Sequence, residues 1–275
     1  MQRPFRQVDV FGGEPLLGNP VAVVLDGDGL DDDAMRRFAR WTNLSETTFV
    51  LPALHPEADY RVRIFTPASE LPFAGHPTLG TCHAWLELSG RPRGDAIVQE
   101  CEAGLIPIRL TDAGLAFAAP PLIRSGPVEE AMVARIAAML RIDRGAIVDS
   151  QWVDNGPGWV AVLLSDALAV LDLAPGTVEL DIGVAAPEPP GHDAQFEVRA
   201  FFPVDGTTRE DPVTGSLNAS LAGWLLASGR ATAPYTAAQG TALGRRGRVH
   251  ISVDDDGAVW VAGATQTAIA GTVEL

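Results

Sequence analysis

The sequence predicts an α+β protein of two similar halves, each with several strands around one buried helix. The main observation is an internal repeat. Residues 60–67 read YRVRIFTP and residues 196–203 read FEVRAFFP, with Val, Arg, Phe and Pro in register. Both segments alternate as strands do and then stop at proline, so each predicts a strand at the same place in its half.

Two further pairs of segments extend the repeat. ELPFAGH at 70–76 matches EDPVTGS at 210–216 in Glu, Pro and Gly, and VAVVL at 21–25 matches VAVLL at 160–164. The three matches keep the same order, at offsets of 136 to 140 residues. A single duplication of this length differs from the many short copies of a solenoid. It predicts two halves of one topology, related by a pseudo-twofold axis.

Four helices are predicted from apolar patterning and helix-start signals. A buried helix begins near His76, with Pro77 in its first turn, where the missing N–H costs nothing. Its counterpart begins near Ser216, a residue type favoured as an N-cap. Two amphipathic helices are predicted over residues 31–42 and 128–140. The rest of the chain is predicted to form strands and turns.

Composition limits the classes of function. All 20 basic residues are arginine, and without lysine there can be no Schiff base and no P-loop lysine. The formal net charge of -15 disfavours nucleic acid as a partner. Two cysteines, Cys82 and Cys101, suit a reducing compartment. The N-terminus lacks a signal-peptide pattern and no apolar run could span a bilayer, so we expect a cytoplasmic protein without a membrane partner.

Two glycine-preceded helix starts are the first candidate site. Gly75-His76 and Gly215-Ser216 occupy matching places in the two halves. The first turn of a helix has free N–H groups and a partial positive charge, so it can bind an anion. The alternative is that these glycines only permit tight turns.

Glu46, in the segment NLSETTF at 43–49, is the second candidate. It lies between an amphipathic helix and a β-rich segment, and a carboxylate beside small polar and apolar residues could have a raised pKa, which suits a general base. The alternative is an exposed glutamate near a strand edge. No G-x-S-x-G elbow surrounds Ser216, and His76, Cys82 and His83 lack metal-binding spacing, so neither a serine hydrolase nor a metal site is expected.

Five segments together resemble the PhzF family, the phenazine-biosynthesis isomerases of the diaminopimelate epimerase-like fold. The segments are VDVFGGEPLLGNPVAVV, NLSETTFV, FAGHPTLGTCHAWLE, EDPVTGSLNASLAGWLL and QGTALGRRGRV. The resemblance implies that each half is a β-barrel-like sheet around a central helix, with a cleft between the halves and a homodimer. It also implies that residues 264–275 complete the first half. The expected domains are therefore 1–120 with 264–275, and 121–263, joined by a linker within 118–127.

The resemblance also assigns roles to site residues. The catalytic positions of the family correspond to Glu46, His76 and Asp211. Its substrate-binding positions correspond to Ser45, Gly75, Gly215 and Ser216.

The implied reaction moves a proton within a small carboxylated substrate without a cofactor, with Glu46 as general acid/base. Diaminopimelate epimerases and proline racemases use two opposed cysteines, where this chain has His76 and Ser216, so a two-thiol mechanism is not expected. Two alternatives stay open: an epimerase or racemase-like enzyme on the same scaffold, and a non-catalytic small-molecule-binding protein.

Overall fold

Strands and helices are mixed along the chain in an α+β arrangement. The computed structural model describes residues 1–88, 90–92, 94 and 96–275. The strands are β1 Gln2–Val10, β2 Asn19–Val24, β3 Glu46–Leu51, β4 Tyr60–Phe65, β5 Glu70–Leu71, β6 Ile97–Cys101, β7 Gly104–Thr111, β8 Gly114–Ala118, β9 Arg124–Pro127, β10 Asp149–Asp154, β11 Val160–Leu163, β12 Ile182–Pro187, β13 Phe196–Val204, β14 Thr207–Asp211, β15 Tyr235–Gln239, β16 Gly247–Val253, β17 Val259–Gly263 and β18 Thr265–Glu274. The α-helices are α1 Asp32–Thr42, α2 Gly75–Glu87, α3 Glu130–Leu140, α4 Ala167–Leu171 and α5 Gly215–Ala227.

The chain forms two compact units. The first unit contains residues 1–118 and 262–275, and the second contains residues 119–261. The first unit is therefore discontinuous in sequence. Its last strand, β18, comes from the C-terminus and pairs antiparallel with β1.

The first unit is a sheet that curls around α2. Its strand order is β18–β1–β2–β3–β4–β6–β7–β8, and β5 forms a hairpin with β4. The pairs β2–β3 and β4–β6 are parallel and the others are antiparallel. Because α2 packs against β18 and β8, at the two ends of this order, as well as β1, β2 and β3, the sheet encloses the helix.

The second unit repeats this topology. Its order is β9–β10–β11–β12–β13–β15–β16, with β14 paired to β13, and the parallel pairs are β11–β12 and β13–β15. The helix α5 packs against β10 and β16. The strands β1 to β7 thus correspond in order to β10 to β16. The predicted α+β fold of two duplicated halves is confirmed.

The two central helices both begin at a glycine and both have 13 residues. Most of their residues are buried, and Pro77 lies in the first turn of α2 as predicted. The helix α5 begins at Gly215, and its N-cap lies two residues before Ser216. Thr214, with extended backbone at φ -110° and ψ 100°, is the N-cap, so Ser216 lies inside the first turn and is not a cap.

The outer helices α1 and α3 cover the sheets from outside. Asp31 caps α1 by accepting a hydrogen bond from the Ala34 N–H at 2.8 Å. The apolar face of α1 packs Phe38 against Phe49, while α3 lies in a second apolar cluster around Ile136. The predicted linker 118–127 is only partly a connection, since its end forms β9 and pairs with β10. No helix in the described part of the chain is long and apolar enough to cross a membrane.

The repeated Arg and Glu of the sequence motifs form one ion pair in each unit. Arg199 makes two hydrogen bonds to Glu210, at 2.9 and 2.6 Å, across the β13–β14 hairpin. Arg63 makes the equivalent pair with Glu70, at 2.6 and 2.7 Å, across β4–β5. Two parallel bonds between guanidinium and carboxylate fix the geometry of a hairpin. Each pair therefore anchors the hairpin that leads into a central helix.

Candidate active site

Glu46 and His76 meet at the start of the first central helix. Glu46 is the first residue of β3 and lies opposite Val21 of the parallel strand β2. Its Oε2 is 3.3 Å from Nε2 of His76, the second residue of α2. The two side chains are only 15% and 4% exposed, so the contact is largely shielded from water. The interpretation of Glu46 as an exposed edge residue is therefore wrong.

The imidazole of His76 is neutral near pH 7. Its burial lowers the pKa to about 3, while a hydrogen bond with the backbone of Pro20 acts in the opposite direction. On the other side of the ring, Asn19 Nδ2 lies 3.3 Å from His76 Nδ1. A neutral ring has one N–H and one lone pair, so it can both donate and accept a proton. The pair is thus a carboxyl group against a neutral imidazole and not a salt bridge.

The backbone of the α2 start adds hydrogen-bond donors beside this pair. Ala74, the N-cap, has no side chain able to cap the helix, and Pro77 has no N–H. The N–H groups of Gly75 and His76 precede the first intrahelical bond, which runs from Thr78 N to Ala74 O at 3.1 Å. Ser45, adjacent to Glu46, is half-buried. The first unit therefore brings its four predicted site residues into one neighbourhood.

Asp211 lies near the start of α5, the central helix of the second unit. It is the last residue of β14, three residues before the N-cap of α5, and is 9% exposed. Its Oδ2 accepts a hydrogen bond from Thr214 Oγ1 at 2.7 Å. Gly215 follows Thr214 directly and is buried. The predicted residues of this unit thus gather at the start of α5.

Ser216 has two hydrogen-bonding neighbours from the segment before β11. Its Oγ accepts from Trp159 Nε1 at 3.1 Å, and its carbonyl accepts from Asn155 Nδ2 at 3.0 Å. The sequence patterns predict neither residue, although Trp159 immediately precedes the repeated VAVLL segment and Asn155 lies five residues before it. They do not predict Asn19 either, which precedes the matching VAVVL segment. Position relative to the repeat was the signal that could have identified them.

Several charged side chains near the C-terminal end of the second unit form contacts of their own. Arg248 pairs with Asp193 at 2.9 Å, and Arg246 approaches the same carboxylate at 3.9 Å. Asp254 accepts a hydrogen bond from Trp260 Nε1 at 2.8 Å in the turn before β17. Across the described residues, no group of three or more His, Cys, Asp or Glu side chains could hold a metal ion.

Solved structures with the same architecture define the class of protein. A PhzF family protein from Bacillus anthracis superposes over 100% of both chains with a TM-score of 0.84 and 22% identity. A hydroxyproline epimerase from Agrobacterium vitis matches over 99% of this chain and 92% of its own, with a TM-score of 0.61 and 14% identity. The chain therefore has the diaminopimelate epimerase-like fold, in which PhzF proteins and amino-acid epimerases share one duplicated scaffold.

Sequence comparison identifies the family to which the chain belongs within this fold. Residues 8–272 match the family model described as phenazine biosynthesis-like protein. The chain belongs to this family, the PhzF family of isomerases. It is 37% identical over 221 residues to trans-2,3-dihydro-3-hydroxyanthranilate isomerase from Pseudomonas aeruginosa, covering 78% of this chain and 77% of the relative. It is also 37% identical over 295 residues to antisense-enhancing sequence 1 from Schizosaccharomyces pombe, covering 98% of each chain.

Proposed function

We propose that the chain isomerises a small carboxylated substrate by moving a proton between two of its carbon atoms, with Glu46 as the general acid/base. The observation that carries this proposal is the buried contact between Glu46 and the neutral ring of His76 beside a helix start. A shielded carboxyl group next to a proton donor and acceptor is the arrangement that general acid–base catalysis requires. The proposed enzyme needs no cofactor and acts as a homodimer, as the family resemblance implies.

In the proposed reaction, Glu46 removes a proton from one substrate carbon and the electron pair delocalises over the substrate. Return of the proton to another carbon completes the isomerisation, so atoms and charge balance without an added oxidant or reductant. His76 and Asp211 orient the substrate or relay protons. The N–H groups at Gly75 and Gly215 bind the carboxylate and the developing negative charge.

The first probe is trans-2,3-dihydro-3-hydroxyanthranilate, which the Pseudomonas aeruginosa relative isomerises according to its name. Its carboxylate suits a helix start, and its ring can delocalise charge. Other cyclic or amino-acid-like carboxylates form the rest of the proposed substrate class.

The test is Glu46→Gln, which keeps the size of the side chain and removes its acid/base function. Proton exchange from heavy water into the probe should fall by about 10²–10⁴-fold, because that is the range general acid–base groups contribute. Probe binding, measured by calorimetry, should survive. Glu197→Gln is the matched control, since burial raises the pKa of Glu197 to about 7 but the residue lies outside the proposed site. Undiminished exchange in Glu46→Gln would remove Glu46 from this role.

Epimerisation is the second candidate function. It is favoured by the structural match to a predicted epimerase from Pseudomonas aeruginosa, with a TM-score of 0.76 and 26% identity over 98% of this chain and 99% of the other. Incubation of single enantiomers in heavy water separates the two functions. Deuterium at an inverted stereocentre indicates epimerisation, and deuterium at a different carbon indicates isomerisation. Binding without any exchange across the substrate class would indicate a binding protein.

A further inference from the structure

The start of α5 contains a buried hydrogen-bond network that ends on Asp211. The central residue of this network is Gln239, which is the last residue of β15 and is fully buried. Its Oε1 lies 3.0 Å from the Thr214 backbone nitrogen and 2.8 Å from Asn218 Nδ2. Its Nε2 lies 2.9 Å from Thr214 Oγ1 and 3.2 Å from the Asp211 carbonyl oxygen. Both the oxygen and the nitrogen of the Gln239 side-chain amide are therefore hydrogen-bonded.

These contacts fix the direction of every hydrogen bond in the network. The Thr214 backbone N–H can only donate, so the Gln239 atom facing it must be the carbonyl oxygen, and the amide cannot be flipped. The Gln239 NH₂ group therefore donates to the Thr214 hydroxyl. That hydroxyl has a single hydrogen, which must point to its other partner, Asp211 Oδ2, at 2.7 Å.

We infer that Gln239 and Thr214 are positioning residues that orient the Asp211 carboxylate by holding its Oδ2 as a hydrogen-bond acceptor. The inference rests on the proposed function only where it makes this carboxylate a group that exchanges a proton with substrate. The orientation of the carboxylate follows from the network alone. A hydrogen bond donated to a carboxylate stabilises its ionised form, so the network also favours an ionised Asp211.

The first unit shows which part of the network is specific to Asp211. Gln99 stands 140 residues before Gln239 and donates from Nε2 to Thr78 Oγ1 at 2.9 Å, so a buried glutamine packs on both central helices. The position that matches Asp211 is Leu71, and the position that matches Thr214 is Ala74. The glutamine is thus common to both units, whereas the connection to a carboxylate exists only in the second.

The experiment is a side-chain ¹³C NMR titration of Asp211 in the full chain without added substrate, with Asp211→Asn used to assign the signal. Thr214→Val keeps the shape and removes the hydroxyl. It should move the titration midpoint of Asp211 up by about one pH unit, the size expected for one lost bond to a charged group. Thr214→Ser, which restores the hydroxyl, should return the midpoint to the wild-type value. Thr78→Val is the matched control and should leave it unchanged.

A crystal structure of Thr214→Val should show the Asp211 carboxylate turned from its wild-type orientation. If that variant does not fold, Thr214→Ala removes the same hydroxyl without added bulk, and Thr78→Ala becomes its control. An unchanged midpoint with an unchanged carboxylate in either hydroxyl-free variant overturns the positioning role. An equal shift in the Thr78 variant would show a general effect of helix destabilisation and would also overturn it.

Exchange into the probe separates this inference from the proposed function. In Thr214→Val, kcat should fall about tenfold or more while KM changes little, because the carboxylate remains present but is no longer held in place. A shifted titration with no exchange in the wild-type protein would support the network and contradict the proposed function. Normal exchange in Thr214→Val despite a shifted titration would show that proton transfer does not depend on the held orientation of the Asp211 carboxylate.

Discussion

His76 shows how burial decides the chemistry of a single side chain. The residue is 3% exposed, and the cost of burying a charge outweighs the hydrogen bond with Pro20 that favours the protonated form. The ring beside Glu46 is therefore a neutral imidazole and not a cation. The sequence identified Glu46 and His76 in separate motifs, but their contact depends on the pairing of β3 with β2 and on the packing of α2.

The depressed pKa of His76 makes a prediction for stability against pH. The folded-state pKa is about 3 and the unfolded value is about 6.5, so the unfolded chain binds more protons between these values. Stability linked to His76 is complete above pH 6.5 and is lost as the pH falls below it, by about 2 kcal/mol between pH 7 and pH 5. Urea unfolding should show that His76→Asn loses correspondingly less stability than wild type over this interval. Equal losses in the two proteins would contradict a buried neutral ring.

At the scale of elements, the central helices were identified by their apolar composition, because a helix that is apolar on most faces must be buried. Their register against the sheet is a tertiary property. Gly80 faces Val21 of β2 and Val10 of β1, so a Cβ at this position would overlap Val21. A Cβ added at Gly223 of α5 would meet no neighbouring atom within 4 Å. Two helical glycines thus have opposite roles.

Alanine substitution should separate these two glycines. Gly80→Ala forces the first central helix away from its sheet and should cost about 1–3 kcal/mol. Gly223→Ala meets no neighbour and should stabilise the protein by about 0.5–1 kcal/mol through helix propensity. Chemical denaturation of both variants measures the effect. A Gly80→Ala protein as stable as wild type would show that the contact between α2 and β2 is looser than the structure indicates.

At the scale of the whole molecule, the discontinuous first unit makes the chain ends meet. The Met1 amino group donates to the Leu275 carbonyl at 2.6 Å, and the Leu275 N–H donates to the Met1 carbonyl at 3.1 Å. The strands β1 and β18 pair from Gln2 opposite Glu274 to Val10 opposite Thr265. The C-terminal segment is therefore an integral strand of the first sheet.

This arrangement predicts that a circular permutant folds. Joining Leu275 to Met1 with a short glycine-rich linker, and opening the chain between Pro121 and Leu122, makes the first unit continuous and separates only residues 119–121 from the second. Every strand pair is kept, so the Tm should lie within about 5 °C of wild type in calorimetry. Deleting residues 265–275 is the comparison, because it removes β18, one of the two strands that pair with β1, and should unfold the first unit. An unfolded permutant together with a stable truncated chain would contradict the view that β18 is an integral strand of the first sheet.

The sequence by itself determined the duplicated topology, the central helices and the family, because these depend on local patterning and on motifs repeated along the chain. It also pointed to Glu46, His76 and Asp211 as site residues. Tertiary structure alone decided that Glu46 touches a neutral His76 and that Gln239 is hydrogen-bonded to Thr214, whose hydroxyl bonds to Asp211. Such contacts join residues that are distant in sequence, and both their geometry and the desolvation that sets their charge arise only when strands pair and helices pack.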